Sequence, residues 1–268
     1  DLGLVQRDYK TDRPSEAKDS ESQWARLVRY VQHLNNASPK NVQYKVLILG
    51  RHGQGWHNVA EEKYGTAEWD ASWSMLEGDG KIKWADALLT EEGEKQALAA
   101  NKYWGGALER GQPAPDSYYS SPLSRCLQTA NFTFTGLTLP QDKPFKPVVK
   151  ELLRETNGVH TCDRRSSLTQ LRKSFPSSFM STFTFEPGFS DKDPLWSGDE
   201  RETDEETETR VRTLLNDIFT HDKGVWVSMT THSGACRAIL AVVQHREFPL
   251  KTGSVMAVLV RAEEVVVE

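Results

Sequence analysis

The sequence predicts an α/β fold: a three-layer α/β/α sandwich with a mostly parallel sheet and an irregular lid insertion. Three observations support this prediction. Short apolar runs typical of buried strands alternate with amphipathic helical patterns along the 268 residues. Reactive polar residues follow directly on several of these runs, as they do at the carboxyl ends of parallel strands. From about residue 160 to 204 the sequence loses any sustained period and is rich in proline, serine and aromatic residues.

The N-terminal part, residues 1–43, is predicted to form an arm and one helix that precede the main domain, residues 44–268. Residues 1–20 are polar and charged, which is typical of an arm that lies over a domain or is partly mobile. Over 22–34, apolar residues such as Trp24, Leu27 and Val31 recur at the spacing of an amphipathic helix.

The main domain is predicted to begin with a strand over 44–49 and to carry its lid at about 160–204. Further strands are expected at 117–121, 148–149, 224–231 and 255–261. Helices are expected at 57–64, 90–103, 205–219 and 235–243. One more helix should start at Pro122, because proline is favoured at the first helical position. Thr90 should cap its helix, with acidic residues in the first turn where the helix dipole favours them.

Composition and charge exclude several functional classes. With 37% hydrophobic and 26% charged residues, the chain has enough apolar residues for a folded core. Its net charge of -5 argues against binding to nucleic acid or to acidic membranes, and no stretch is long enough for a membrane span. We expect a cytoplasmic monomer or homodimer. Because the sequence opens at Asp1, a secreted or processed form stays open.

The three cysteines do not indicate a metal site or a disulfide framework. Cys126, Cys162 and Cys236 are far apart in sequence and show no CxxC spacing. Cys126 and Cys236 fall in helical patterns, so we expect them to be buried thiols.

Polar side chains follow four of the predicted strands at the point where each strand ends. Arg51 and His52 follow the first strand, a segment ending in Arg125 follows the second, Glu155 follows the third and His232 the fourth. The carboxyl ends of parallel strands share one edge of a sheet, so these side chains should converge. One such residue alone would indicate little, but four from one sheet predict a functional site.

The charges at this site indicate an anionic ligand. Arg51 and Arg125 carry planar guanidinium groups suited to bidentate contacts with phosphate oxygens. Gly53 lets the backbone approach a ligand closely, and Asn58 offers a side-chain amide near the start of the following helix. His52 is then either a further hydrogen-bond donor or an attacking nitrogen.

The other two residues at the strand ends suit charge and proton chemistry. His232, if charged beside a bound phosphate, would stabilise its oxygens. Glu155 is the only carboxylate expected nearby, and it would suit general acid–base work once partly desolvated. His57 and His160 lie near the site in sequence and either could line it, but the expectation for both is partial exposure without a role.

Together these segments resemble the histidine phosphatase superfamily, whose best-known branch is the phosphoglycerate mutases. The resemblance covers roughly residues 44–245, and its segments stand in the family's order. They are Leu49-Gly50-Arg51-His52-Gly53 with Asn58, the 86–97 segment with Asp86, Thr90 and Gly93, the 120–130 segment around Arg125, Leu153-Arg154-Glu155, and Thr231-His232-Ser233-Gly234. The combination is highly specific, although a lone Arg-His-Gly would not be.

The resemblance implies a phosphohistidine mechanism. His52 would be the phosphorylated nucleophile. It would attack as neutral imidazole, with its other ring nitrogen bonded to a carbonyl of the following glycine turn. Arg51, Arg125 and His232 would form the phosphate pocket. The other residues expected to contact the phosphate are Asn58, Gly53 and Ser233.

Glu155 would donate a proton to the leaving oxygen and later activate water. The resemblance implies no metal and no other cofactor, because fixed cations neutralise the transferring phosphoryl group. The 86–96 segment is expected to be structural and to hold its helix against the sheet. The expected partner is a small phosphorylated, anionic molecule.

Two departures from the mutase pattern favour a phosphomonoester hydrolase. Gln54 and Gly55 stand where mutases usually carry an acidic residue and a serine. The 154–165 segment lacks the aromatic, glycine-containing sequence of the mutases and is more similar to the fungal and plant phosphoglycerate mutase-like proteins, whose substrates the resemblance leaves open. A phosphomutase that uses the same intermediate is one alternative. A binding or non-phosphatase member of the fold, acting on an anionic metabolite, is the other.

Three further residues are predicted to contact the substrate from around the site. Arg164 and Arg165, in the lid, are expected either to hold a second anionic group or to form a solvated basic face. Trp56, which is close to His52 in sequence, is a candidate apolar wall for a substrate ring or chain.

Overall fold

The computed structural model describes residues 4–12 and 21–265, and a six-stranded sheet lies at its centre. The strands are β1 (Val42–Arg51), β2 (Ser117–Ser120), β3 (Val148–Val149), β4 (Thr184–Phe185), β5 (Trp226–Thr231) and β6 (Val255–Glu263). Their order across the sheet is β4-β3-β2-β5-β1-β6. Neighbouring strands are parallel except β6, which runs antiparallel to β1. The prediction of a mostly parallel sheet is confirmed.

Helices connect the strands. They are α1 (Gln23–Ala37), α2 (Trp56–Tyr64), α3 (Thr66–Ala71), α4 (Glu91–Glu109), α5 (Ser124–Phe134), α6 (Leu168–Ser174), α7 (Ser177–Met180), α8 (Asp204–His221) and α9 (Ser233–Val242). Short 3-10 turns occur at Trp73–Met75, Glu151–Leu153 and Thr161–Asp163. Across the described ranges, no helix has the length and apolarity needed to cross a membrane.

Helices cover both faces of the sheet and so form the predicted three layers. In β1, Val46 and Ile48 point to one face, and Leu47 and Leu49 to the other, as the two-residue period of a strand requires. The first pair packs with residues of α1, α4 and α5, and the second pair with residues of α8 and α9. Burial on both faces explains why the centre of this strand, residues 46–49, is a continuous apolar run.

The N-terminal helix packs into the same core as the sheet. Ser22 caps α1, because its Oγ accepts a hydrogen bond from Ala25 N at 3.2 Å. Trp24 of this helix meets Trp226 of β5 edge to face, with ring centroids 6.3 Å apart. Of the predicted arm, residues 4–12 lie over α1, where Tyr9 stacks on Tyr30. Residues 1–3 and 13–20 lie outside the described residues, and the domain boundary at residue 43 stays a prediction.

The helix predicted to start at Pro122 begins at Ser124 instead. Asp86 provides the physical reason. One of its carboxylate oxygens accepts a hydrogen bond from Ser124 N at 2.9 Å, and the other accepts from Ser124 Oγ at 2.7 Å. This carboxylate satisfies a free amide in the first turn of α5, which fixes where the helix starts.

The 160–204 segment, hereafter the insertion, is less irregular than the sequence predicted. It contains α6 and α7, and β4 extends the sheet beyond β3. Leu171 and Phe183 of the insertion pack against Leu127 of α5, together with further phenylalanines. Elements this short are not revealed by sequence periodicity. Much of the insertion is therefore packed onto the domain, and only part of it faces the predicted site.

Candidate active site

The ends of the parallel strands converge beside a cavity of about 420 Å³. The sheet register aligns these ends: Arg51 pairs with Thr231, and His52 N donates to Thr231 O at 2.9 Å. The structure brings together five residues from the ends of four strands, and we call them the strand-end cluster. They are Arg51, His52, Arg125, Glu155 and His232. The first four line the cavity.

His52 is a buried, neutral imidazole. Its side chain lines the cavity although the residue is only 1% exposed. Nδ1 lies 2.7 Å from Gly53 O, which confirms the predicted bond to the glycine turn. If Nδ1 donates that hydrogen bond, the lone pair resides on Nε2. Burial, assisted by Arg125 and opposed by the Gly53 contact, holds the pKa of His52 well below its ordinary value.

Two glycines fix the loop that follows His52. A Cβ on Gly53 would lie 2.3 Å from Gly93 O, and a Cβ on Gly93 would lie 2.1 Å from Gln54 O. The loop therefore packs directly against the first turn of α4. Thr90 N also donates to Gln54 O at 2.9 Å. These contacts confirm that the 86–96 segment is structural. Gly53 N donates to Thr129 Oγ1 at 3.0 Å, so this amide is already engaged.

Arg51 and Arg125 are each anchored at one end of the guanidinium group. Arg51 donates from one terminal nitrogen to Leu250 O at 2.8 Å. Arg125 donates to Cys162 O and pairs with Asp163 at 3.0 Å. The Nε atoms of both arginines are buried and have no hydrogen-bond partner in the described part of the chain. Buried donors are almost always satisfied, so these two indicate a ligand oxygen.

His232 lies behind His52 and does not line the cavity. Its ring centroid is 5.1 Å from that of His52, and the residue is fully buried. Nε2 lies 2.7 Å from Ser121 Oγ and 3.3 Å from Cys126 Sγ. Burial, followed by the charge of Arg125, holds its pKa well below the ordinary value. Without a bound phosphate this imidazole is therefore neutral, and it is bonded to the turn after β2; a charged His232 beside a bound phosphate stays a prediction.

Glu155 is held at the amino end of α9. Its carboxylate accepts hydrogen bonds from Thr156 N at 2.9 Å and from Gly234 N and Ala235 N at 3.1 Å. Ser233, predicted to contact phosphate, donates its hydroxyl to Glu155 at 3.3 Å. A Cβ on Gly234 would lie 2.2 Å from Glu155 Oε1. The Ser233-Gly234 pair therefore positions the carboxylate above the helix end.

Asn58 lines the cavity at the beginning of α2. Its Oδ1 accepts a hydrogen bond from Gly55 N at 3.0 Å, which closes the first turn of the helix. With the oxygen engaged, the side-chain nitrogen is the group that Asn58 can offer to a ligand.

Comparison with known proteins identifies the family. The model of the histidine phosphatase superfamily (branch 1) matches residues 47–267. The chain belongs to this superfamily. Its members include phosphatases and mutases, so the chain is a member of an enzyme family.

Relatives of this chain carry mutase names. It is 52% identical over 262 residues to the "Probable phosphoglycerate mutase" of Arthroderma benhamiae, covering 98% of this chain and 77% of that protein. It is 36% identical over 243 residues to the "Probable phosphoglycerate mutase PMU1" of Saccharomyces cerevisiae, covering 85% and 82%. The solved alpha-ribazole phosphatase of Shigella flexneri aligns with a TM-score of 0.48 at 17% identity, covering 83% and 99%.

Three predicted substrate contacts lie away from the cavity. Arg165 is buried within the insertion, where Glu151 and several backbone carbonyls take up its donors. Arg164 bonds to Glu77 and lies over the ring of Trp196. Trp56 is 39% exposed and lines a separate cavity of about 310 Å³ beside Leu88. The structure therefore corrects these placements, because sequence proximity does not determine side-chain direction.

Two residues expected to be without a role line the cavity. His57 is only 8% exposed, and its ring centroid lies 5.3 Å from that of His52. His160 is half-buried, at 3.6 Å from Asp70. Asp163, the partner of Arg125, was missed entirely because nothing in the insertion's sequence indicates which acid faces the site. For His57, the sequence did contain an indication of its position: Gly55, whose small size makes room for the ring.

Glu155 is not the only carboxylate beside the cavity. Glu61, Asp70, Asp163 and Glu247 also line it. In the described chain, Glu61, Asp70 and Glu247 form no ion pair with lysine or arginine. The two additional arginines of the lining are engaged: Arg201 with Asp163, and Arg237 with Asp204. Asp70 and Glu247 are exposed, so the mouth of the cavity carries acidic groups that no lysine or arginine of the described chain pairs with.

One group of side chains offers potential metal ligands. Ligand atoms of His160, Cys162 and Asp163 lie within 4.8 Å of one another. Asp163 is already paired with Arg125 and Arg201, whose positive charges oppose a cation. Burial also raises the pKa of Cys162 well above its ordinary value, which disfavours the thiolate that metals bind. The charges at this position therefore do not fit a metal ion.

Proposed function

We propose that this member of the superfamily is a metal-independent phosphomonoester hydrolase that works through a phosphohistidine at His52. The observation that carries the proposal is the convergence of a neutral imidazole with two incompletely satisfied guanidinium groups on one cavity. A phosphoryl group carries its charge on oxygens, and fixed cations stabilise that charge during transfer. Arg51 and Arg125 supply those cations without a metal ion.

In the first half of the proposed reaction, His52 Nε2 attacks phosphorus. The nitrogen–phosphorus bond forms as the bond from phosphorus to the ester oxygen breaks, and Glu155 gives the departing oxygen a proton. Gly53 O, at 2.7 Å from Nδ1, keeps the proton on Nδ1 and stabilises the positive charge that develops on the ring.

In the second half, water attacks the phosphohistidine. Glu155, now a carboxylate, takes the proton of that water as the nitrogen–phosphorus bond breaks and inorganic phosphate forms. Arg210 supports this geometry by donating to Leu152 O, Arg154 O and Glu155 O at 2.7 to 3.1 Å. The backbone that carries Glu155 is thereby anchored to α8, so the same carboxylate can serve both steps.

The acidic mouth favours hydrolysis over mutase activity. A phosphoglycerate mutase must hold a substrate with a carboxylate in addition to its phosphate. Here the arginines outside the strand-end cluster that line the cavity are paired with Asp163 and Asp204, while Glu61, Asp70 and Glu247 form no ion pair with lysine or arginine in the described chain. We infer that the preferred substrate is a phosphomonoester whose organic part is not anionic.

Phosphate release from a panel of phosphomonoesters tests this proposal. The panel includes p-nitrophenyl phosphate and a matched pair that differs by a carboxylate, glycerol 3-phosphate and 3-phosphoglycerate. We expect release by the wild type, with glycerol 3-phosphate preferred, and loss of release in His52→Ala. An acid-labile phosphoryl adduct on His52 should be detectable by mass spectrometry after rapid quenching. Release that survives in His52→Ala would refute the mechanism.

Glu155 is tested by varying the leaving group. In Glu155→Gln, kcat for an alkyl phosphate should fall by about 100-fold or more, because a general acid contributes most when the leaving group is basic. The loss for p-nitrophenyl phosphate should be much smaller, since p-nitrophenolate leaves without a proton. Equal losses for both esters would assign the proton transfer to another group.

The mutase names of the relatives favour a second candidate function, transfer of the phosphoryl group to another hydroxyl. The same panel separates the two activities. Isomerised phosphoglycerate without free phosphate would move the assignment to mutase. A folded wild type that neither releases nor transfers phosphate would favour a binding or phosphate-free member of the fold.

A further inference from the structure

His57 presents an imidazole to the cavity that the proposed reaction does not use. It is the second residue of α2 and lies beside His52, with ring centroids 5.3 Å apart. His232 lies on another side of His52, at 5.1 Å, but it is bonded to Ser121 and does not line the cavity. Beyond the nucleophile, His57 is thus the buried histidine that a bound substrate would meet.

Gly55 determines how the His57 ring is oriented. A Cβ on Gly55 would lie 2.7 Å from Nδ1 and 2.8 Å from Cε1 of His57. The φ angle of Gly55 is -103°, which any residue adopts, so glycine is needed here for space and not for backbone conformation. The Nδ1–Cε1 edge of the ring therefore packs on Gly55, which leaves Nε2 to face elsewhere.

Neither ring nitrogen of His57 forms a hydrogen bond within residues 4–12 and 21–265. Nδ1 is buried against the loop and unpartnered, whereas Nε2 is not among the buried unpartnered atoms. Nε2 is therefore the nitrogen accessible from the cavity that His57 lines. Nε2 faces the cavity without a hydrogen-bond partner from the protein, so it is available to bond to a ligand there.

The charges around His57 favour an anionic partner. Burial lowers its pKa well below the ordinary value, and the positive charges of Arg125 and Arg51 lower it further. His52 and His160 also face it. Burial lowers the pKa of both, so both are neutral. The positive charges of Arg125 and Arg51 would repel a metal ion or a second cation. An oxygen of a phosphoryl group would accept from Nε2 and offset the arginine charges.

We propose that His57 contacts the phosphoryl group directly, donating a hydrogen bond from Nε2–H to one of its non-bridging oxygens. The proposal rests on the phosphatase function proposed above. It also assigns a purpose to Gly55, which makes room for the ring. Gly55 and His57 would act as one unit that adds a third donor beside Arg51 and Arg125.

His57→Phe tests the contact, because phenylalanine keeps the ring and removes the donor. We expect kcat/KM for p-nitrophenyl phosphate to fall about 10- to 100-fold, the range for a lost hydrogen bond to a charged group. The dissociation constant for orthovanadate, measured by titration calorimetry, should rise by a similar factor. His57→Gln, which retains an N–H donor, should recover part of both losses.

Stability separates this role from a structural one. In the free protein the polar atoms of His57 make no hydrogen bond, so His57→Phe should unfold at the same or higher urea concentration. A structural histidine would show the reverse, with lower stability and unchanged vanadate binding. That result, or vanadate affinity and kcat/KM both within about twofold of wild type, would overturn the proposal.

Gly55→Ala provides a matched second test. The added methyl group should displace the His57 ring and reproduce most of the loss in vanadate affinity. In a His57→Ala background the same change should have little further effect, because no ring remains to be displaced. Additive losses would contradict a shared role.

Vanadate binding also distinguishes this proposal from the proposed function. A wild type that binds vanadate but hydrolyses no ester refutes the phosphatase function, and the His57 variants still report on the contact. A folded wild type that binds neither vanadate nor inorganic phosphate overturns both proposals.

Discussion

Arg125, beside the cavity, and Arg165, in the insertion, are both buried guanidinium groups, but they differ in what surrounds them. Arg165 meets an excess of acceptors: its Nε bonds to Glu151, and its terminal nitrogens bond to carbonyls of Ser190, Asp191 and Lys192. Arg125 meets Cys162 O and Asp163, and its Nε is left without a partner.

The difference shows how an arginine's surroundings decide its use. A buried guanidinium group whose donors are all taken stabilises the fold and cannot bind a ligand without losing those bonds. One that is anchored at one end and free at the other is held in place for a ligand. The strand-end cluster has arginines of the second kind, whereas the insertion uses Arg165 to tie its loops together.

The largest expected effect is on activity when Arg125 is replaced. In Arg125→Met, kcat/KM for p-nitrophenyl phosphate should fall by about 1,000-fold or more, since the phosphoryl charge loses a fixed cation. Arg125→Lys should recover only part of this loss, because an ammonium group lacks the planar fork. Steady-state kinetics measure both variants. A kcat/KM for Arg125→Lys equal to wild type would show that a point charge is sufficient and would weaken the comparison.

Arg165 should show the opposite pattern, with an effect on stability. Arg165→Met removes the donor to several buried carbonyls and one of the two arginines bonded to Glu151, so the free energy of unfolding should fall by about 3–5 kcal/mol. Urea denaturation measures this loss. The folded variant should keep its kcat/KM, because Arg165 does not reach the cavity. A large loss of kcat/KM in the fully folded variant would place Arg165 in the site after all.

The sequence predicted the strand-end cluster because that cluster depends on local pattern. An apolar run followed by Arg51 and His52 specifies both a strand and what lies at its end. The layers of the sandwich were predictable for the same reason, since the centre of β1 is an apolar run and β5 is rich in the apolar and β-branched residues typical of strands.

The insertion was not predictable in this way, because its contacts join residues far apart in the chain. β4 has only two residues, and its pairing with β3 depends on a phenylalanine cluster that forms in three dimensions. Asp163 lies 38 residues from Arg125 in sequence. The surroundings that engage Arg165 and leave part of Arg125 free are likewise assembled only by folding.

A smaller effect is expected from pH, and it again distinguishes the cavity from the rest of the molecule. Burial, aided by Arg125, holds the pKa values of His52, His57 and His232 well below the ordinary value near 6.5. Below about pH 6.5 the unfolded chain binds protons that the folded protein does not. The free energy of unfolding is therefore highest above that pH. It falls as the pH drops towards the lowered pKa values that these histidines have in the folded protein.

Each of these histidines should contribute a loss of up to about 1.4 kcal/mol per pH unit in that window. Urea denaturation at about pH 7.5 and about pH 5.5 measures the sum, and His57→Phe should show a shallower dependence because one contribution is removed. Wild-type stability that rises on acidification through this window would mean that the histidines are protonated in the folded protein.

The smallest expected effect concerns Arg164, the neighbour of Arg165. Its guanidinium group pairs with Glu77 and lies 5.0 Å from the ring centroid of Trp196, but both partners of the ion pair are exposed. Exposed pairs contribute little, so Arg164→Ala should lower the free energy of unfolding by less than about 1 kcal/mol. Its kcat/KM should match that of wild type across the phosphomonoester panel. If Arg164→Ala instead raised KM for anionic substrates selectively, the insertion would carry a ligand-binding arginine despite the direction of its side chain. The comparison between Arg125 and Arg165 would then hold only for buried guanidinium groups.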